Sequence, residues 1–211
     1  MVEEIESFFE FSGRTIGAGA LQDAYYNVGK FGEYLDKVES SKPGYNHLHL
    51  SLETFTDPNF RDRLTSEAHR LAKSVQDNFL LAQLWYLYIA TNDSEKALDL
   101  ERQYPSLMEY LERNRIAPKI KRAFNREILD QVLRFTDNVE IRRKALVCTV
   151  FELFERKDLK AAQECLDLAR KIGIDTSRIP PRILSELNVA PPASDDDVTE
   201  SRRQESEARS A

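Results

Sequence analysis

DLKAAQECLDLARKIGID, residues 158–175, carries the start, the buried face and the stop of one short helix. Asp158 suits an N-cap, because its carboxylate accepts from the free N–H groups of a first helical turn. Gly173 suits the position just past the end, where φ is positive. Between them Leu159, Ala162, Leu166 and Ala169 recur at three and four residues and share one apolar face. A four-turn helix with one apolar face needs a neighbour. The preceding stretch RRKALVCTVFELFERK (142–157) supplies a second helix across almost no loop.

The same outline recurs upstream. WYLYIATNDSEKALDLERQYP (85–105) aligns without a gap on VFELFERKDLKAAQECLDLAR (150–170), with Tyr88-Ile89 over Leu153-Phe154, Asp93 over Asp158 and Ala97 over Ala162. AYYNVGKFGEYLDKVES (24–40) repeats it, with Gly29-Lys30 at the break and Tyr34-Leu35 where Ala97-Leu98 stand. The three breaks lie about 64 residues apart, near twice a helix-pair unit, so further pairs are expected between them. One is YNHLHLSLETF followed by DPNFRDRLTSEAHRLAKS, with Asp57 as N-cap, Pro58 at the first helical position, and a stripe of Phe60, Leu64, Ala68 and Leu71. HLHLSL also alternates like a strand, which leaves helix and strand both open for 45–55. A less regular pair lies in SLMEYLERNRIAPKIKRAFNREILDQVLRFTDN, where Pro118 should end a first helix and Ile120, Phe124, Ile128, Val132 and Phe135 follow at helical spacing. Pro180-Pro181 then opens a final short helix with Ile183, Leu184 and Leu187, a cap for the stack. NFLLAQLWYLYIA (78–90) is apolar nearly all round and should be covered on several sides.

Composition agrees. Of 211 residues 41 % are hydrophobic and 31 % charged, with 7 Gly and 8 Pro, which suits helices better than a turn-rich β-sandwich. The expected fold is all-α: an α-solenoid of helix-turn-helix repeats over 1–189, followed by a disordered acidic tail over 190–211. The tail holds six acids against three arginines and so carries −3 of the net charge of −6. The nearly balanced remainder argues against the global basicity of many nucleic-acid binders, though not against a local basic patch. Cys148 and Cys165 are expected to be reduced core residues. No run of 18 apolar residues is present, so no membrane span is expected.

Residues 143–177 resemble a pentatricopeptide repeat, with Leu159 and Ala162 at the second-helix positions and Gly173-Ile174 at the closing pair; Gly29-Lys30 resembles the break of an earlier unit. The whole outline is similar to degenerate, leucine-rich pentatricopeptide proteins of mitochondrial messenger-RNA metabolism. The resemblance implies binding of single-stranded RNA or of an RNA-bound protein partner. It implies a mitochondrial location if the sequence is the C-terminal piece of a longer precursor, because MVEEIESFFEF lacks an Arg-rich presequence; a genuine start at Met1 favours the cytoplasm. Where the family reads a base, this sequence has Val147 and Ser177, with Ala82 and Gly19 at the first of those positions in earlier units. An aliphatic side chain cannot read a Watson–Crick edge, so sequence-specific readout is not implied. Tetratricopeptide scaffolds share the helix-pair outline, which makes protein–protein interaction the alternative.

The candidate RNA contacts lie in RNRIAPKIKRAFNR (113–126), six bases and no acid. On a single helix Arg115, Lys119, Arg122 and Arg126 fall within about 60° of one another, a stripe suited to a phosphate backbone. Arg142, in IRRKA, extends it. Pro118 opposes a continuous helix, and Arg126 with Asp130 is an ordinary i, i+4 pair. An RNA-binding stack should gather these five cations on one surface, whereas a scaffold should show an apolar or mixed groove. His47 and His49 lack a third ligand at a recognised metal spacing, His69 reads as a helix-surface residue, and Gly13, Gly17 and Gly19 match no nucleotide-binding loop. No Ser, His and Asp set is suggested, so neither enzyme activity nor a cofactor or metal is expected.

Overall fold

A computed structural model describes residues 18–40, 48–75 and 78–187. The expected tail, His47 and the Gly13–Gly17 stretch lie outside the described residues. Among the described residues every regular element is a helix: α1 Ala18–Asn27, α2 Phe31–Ser40, α3 Leu52–Thr56, α4 Arg61–Val75, α5 Phe79–Ala90, α6 Ser94–Gln103, α7 Ser106–Arg113, α8 Pro118–Lys121, α9 Arg126–Phe135, α10 Val139–Glu155, α11 Leu159–Lys171 and α12 Pro181–Glu186. None of them is long and apolar enough to cross a membrane.

The breaks share one geometry. Asn92 and Lys157 stand at φ 57° and 66°, and Gly29 and Gly173 at φ 73°. In each case the left-handed residue donates its N–H three residues back, and the next residue donates five back. Lys30 donates to the Tyr25 carbonyl, Asp93 to Tyr88, Asp158 to Leu153 and Ile174 to Ala169, at 2.7–2.9 Å. This paired closure satisfies the carbonyls that the last helical turn leaves open, and at the first three breaks the next helix begins after three residues. α5 therefore folds back as α6 and α10 as α11, and both pairs pack along their length. Ala97 and Ala162 are fully buried at corresponding places of the two second helices. Asp158 accepts from the Ala161 N–H at 3.2 Å, as its N-cap role requires. Leu159, placed on the apolar face by its spacing, is 43 % exposed; the buried face is Ala162, Cys165, Leu166 and Ala169.

α5 is the hub. All ten residues from Leu80 to Ile89 are buried, and the helix packs against α3, α4, α6, α7, α8 and α9. Two of its polar side chains are carried inward with partners: Trp85 Nε1 donates to Glu101 Oε1 at 2.8 Å, and Gln83 Oε1 accepts from the Leu50 N–H at 2.9 Å.

One open reading is decided for the described residues and one expected helix start is corrected. Residues 48–51 are extended and form neither helix nor sheet. Leu48 and Leu50 are buried, and the backbone between them is held by side-chain amides, with Gln22 Oε1 accepting from the His49 N–H at 2.9 Å. Ser51 then caps the five-residue α3. After it, Asp57 accepts from the Asn59 N–H at 2.9 Å and closes a turn over 58–60, so α4 begins at Arg61 rather than at Pro58. The stripe survives this shift, since Leu64, Ala68 and Leu71 are buried.

Ala162→Arg should cost about 3 kcal/mol, since overpacking and an unpaired buried charge add. A melting temperature within a degree or two of the parent would remove Ala162 from the helix crossing. Lys157→Gly should do the reverse. A β-carbon in the left-handed region costs about 1 kcal/mol that glycine avoids, so thermal unfolding should move upward, and by more than for Asn92→Gly, because Asn tolerates that region.

Candidate functional site

The basic stretch 113–126 does not form one helix. α7 ends at Arg113, residues 114–117 run as a connector, Pro118 opens α8 at its first position, and α9 begins only at Arg126 with Asn125 as its cap. Pro118 lacks the N–H that a continuing helix would need, and its ring clashes with the preceding turn. The single stripe of Arg115, Lys119, Arg122 and Arg126 is thereby divided over three segments.

Three of the five expected RNA contacts are committed within the protein. Lys119 Nζ stands 2.5 Å from Asp23 Oδ1 and ties α8 to α1. Arg126 pairs with Asp130 at 3.0 Å and places Nη1 3.9 Å from Cys165 Sγ. Arg142 spreads its guanidinium over the end of α9, donating to the carbonyls of Leu133 and Thr136 and to Asp137. Arg122 lines a polar cleft with Lys119, Asp23, Asn27 and Glu53. Arg115 lines a different one.

That second cleft is a groove of about 560 Å³ between the 114–118 connector, α10 and the chain just before α12. Five cations surround it: Arg115, Lys121, Arg143, Lys144 and Arg178. Its floor is apolar, with Ile116, Pro118, Val147, Cys148, Phe151 and Pro180. Three carboxylates temper the charge. Glu140 pairs with Arg143, with Arg178 at 3.3 Å and with Lys144 at 3.8 Å. Asp175 lies 3.6 Å from Arg143, and Glu152 lies 3.7 Å from Lys121. Arg115 alone of the five has no ion-pair partner among the described residues.

Helical spacing builds this wall. Arg143, Val147 and Phe151 follow at i, i+4 and i+8 on α10, with Lys144 and Cys148 beside them. Lys121 Nζ rests 3.6 Å from the centre of the Phe151 ring, a cation–π contact that covers that ring face. Lys144 donates to the carbonyls of Leu111 and Asn114 at 2.8 Å and to that of Glu112, closing the C-terminal end of α7. Burial holds its ammonium below the usual lysine range. Burial also pushes the Cys148 thiol up to about 11, so it is held as thiol rather than as nucleophilic thiolate.

The positions at which the resembling family reads bases are placed as follows. Val147 lines the groove, and Ala82 lines a small adjoining cavity that also has Arg115 and Ile116 in its wall. Ser177 is turned onto Asp175, donating to it from its N–H at 2.8 Å and its hydroxyl at 2.7 Å. Tyr86, also on the small cavity, is buried with a hydroxyl that has no hydrogen-bond partner among the described residues. No group of three His, Cys, Asp or Glu side chains converges as a metal site among the described residues.

No family model matches the chain, and neither a curated protein nor a solved structure does.

The two described histidines are half-buried. His69 Nδ1 lies 3.0 Å from the Tyr104 hydroxyl, and the His49 ring meets Phe79 edge-on. Both have their pKa lowered, first by burial and then by a nearby cation, Lys73 for His69 and Lys119 for His49. The folded state therefore binds fewer protons than the unfolded chain once pH falls below about 6.5, and stability must decline through that window. Above it both states are neutral and nothing changes. His69→Gln, which keeps a polar partner for Tyr104, should show a smaller loss of melting temperature between about pH 7 and 5 than the parent. An equal loss in both would remove His69 from the pH response.

Proposed function

We propose that this chain is a protein-interaction scaffold of tetratricopeptide-like character, a stack of helix pairs whose mixed groove beside α10 takes a segment of another protein. The observation that carries this reading is the disposition of the cations. Lys119, Arg126 and Arg142 neutralise Asp23, Asp130 and Asp137, and Arg122 and Arg115 line separate clefts. A phosphate backbone needs a run of uncommitted charges, because affinity comes from counterions released at each contact. The groove holds only a modest positive excess over an apolar floor. The ring on which a base would stack, Phe151, already carries Lys121 on one face.

The recurring left-handed breaks at Gly29, Asn92, Lys157 and Gly173 support the stacked-repeat description. A solenoid presents such grooves between successive helix pairs, where partner segments lie. The RNA-associated reading, with its mitochondrial location, rests on the pentatricopeptide-like pattern of residues 143–177 and is the rival.

Salt dependence separates the two. A scaffold should bind a labelled single-stranded oligouridine weakly or not at all, with a slope of log K against log salt smaller than the roughly 0.7 expected for one phosphate contact. Replacing Arg115, Lys119, Arg122 and Arg126 together by Gln should leave that slope unchanged. A slope of about 2 or more in the parent, reduced by roughly 0.7 for each phosphate-binding cation that the variant removes, would reinstate RNA binding.

A further inference from the structure

The groove beside α10 has a composition that limits what can occupy it, and the limit rests on the scaffold reading above. Its floor, formed by Ile116, Pro118, Val147 and Pro180, calls for aliphatic or aromatic surface. Its rim is cationic, but Glu140, Asp175 and Glu152 already answer most of that charge. Two donors are left over. Arg115 is exposed and unpaired among the described residues. Arg143, whose side chain is only 14 % exposed, binds Glu140 and Asp175 through its terminal nitrogens, while its Nε is buried without an acceptor among the described residues. A buried donor left without an acceptor keeps its desolvation cost until an acceptor arrives. A basic or purely apolar segment would leave the Arg115 guanidinium and the Arg143 Nε unanswered. A polyanion would bring more charge than the groove can match, and each surplus charge would be desolvated for nothing.

We infer that the groove takes an acidic peptide segment of another protein, in which one or two carboxylates flank an aliphatic or aromatic side chain. Arg115 and Arg143 receive the carboxylates, and the apolar side chain lies on Val147 and Ile116. Charged hydrogen bonds at a part-covered groove set the specificity, and the apolar contact holds the segment in place.

Selection of random dodecapeptides displayed on phage against the full chain tests this. Enriched sequences should place acids within three residues of an aliphatic or aromatic residue. Arg115→Gln, at an exposed position without structural ties, should weaken the synthesised winners about tenfold. Val147→Asp, which sets a like charge on the floor, should abolish their binding while far-ultraviolet circular dichroism stays that of the parent. Winners without acids, or winners unaffected by Arg115→Gln and Val147→Asp, would overturn the groove assignment and leave the scaffold reading standing. Failure to enrich any peptide, together with salt-sensitive binding of the oligouridine, would overturn both.

Discussion

Six helices of this fold are arranged to cover α5. A helix with apolar residues all round cannot turn any face to water, and the ten buried residues from Leu80 to Ile89 need a full circle of neighbours. Each large apolar side chain taken fully out of water contributes about 1.5–3 kcal/mol, so an uncovered face would be expensive. α4 and α6, adjacent in sequence, cover part of the circle. α3, α7, α8 and α9 close the rest from further along the chain. Two of the polar tips find partners, Trp85 at Glu101 and Gln83 at Leu50, while Tyr86 packs edge-on against Trp85 and Phe124 with its hydroxyl unanswered among the described residues. The groove exists because α10 packs chiefly on α7, α8, α9 and its own partner α11 rather than on α5. A second layer of the structure thus has a surface to spare.

The architecture was legible where local chemistry decides it. Asp93 and Asp158, Ala97 and Ala162, and the residues of positive φ at Gly29 and Gly173 are all visible as sequence patterns, because a break and its cap involve neighbours only. Asn92 and Lys157 were legible by alignment alone, since neither residue type requires the left-handed region. The extended stretch at 48–51 was not legible. Its alternation resembles a strand, but its hydrogen-bond partners are side chains far away in sequence, Gln22 and Gln83. Nothing local distinguishes a backbone satisfied in that way from one waiting for a sheet.

The basic stretch shows the converse limit. Its six cations are plain in the sequence, yet their meaning depends on Asp23 and Glu152, which no helical wheel of 113–126 contains. Pro118 was the visible clue that the stripe would divide. Arg143, Val147 and Phe151 stand at i, i+4 and i+8, a face that mixes charge with apolar surface and is easily taken for an ordinary core stripe. Only the arrival of the 114–118 connector and of Arg178 makes a groove of it. Local pattern fixes helices; distant partners decide which of their faces remain open.

The two buried glutamines have a consequence for how far this sequence could diverge. Gln22 presents both ends of its amide to the backbone of His49, and Gln83 accepts from Leu50 while donating to the carbonyl of Phe79 in its own helix. A carboxylate in either place would lose the donor, a lysine the acceptor, and asparagine the reach. The apolar interior, by contrast, tolerates exchanges among Leu, Ile and Met at modest cost as long as total volume is kept. A distant descendant could therefore rewrite most of its hydrophobic core and still fold this way, while two amides on α1 and α5, with no role in the groove, stayed as its most restrictive letters.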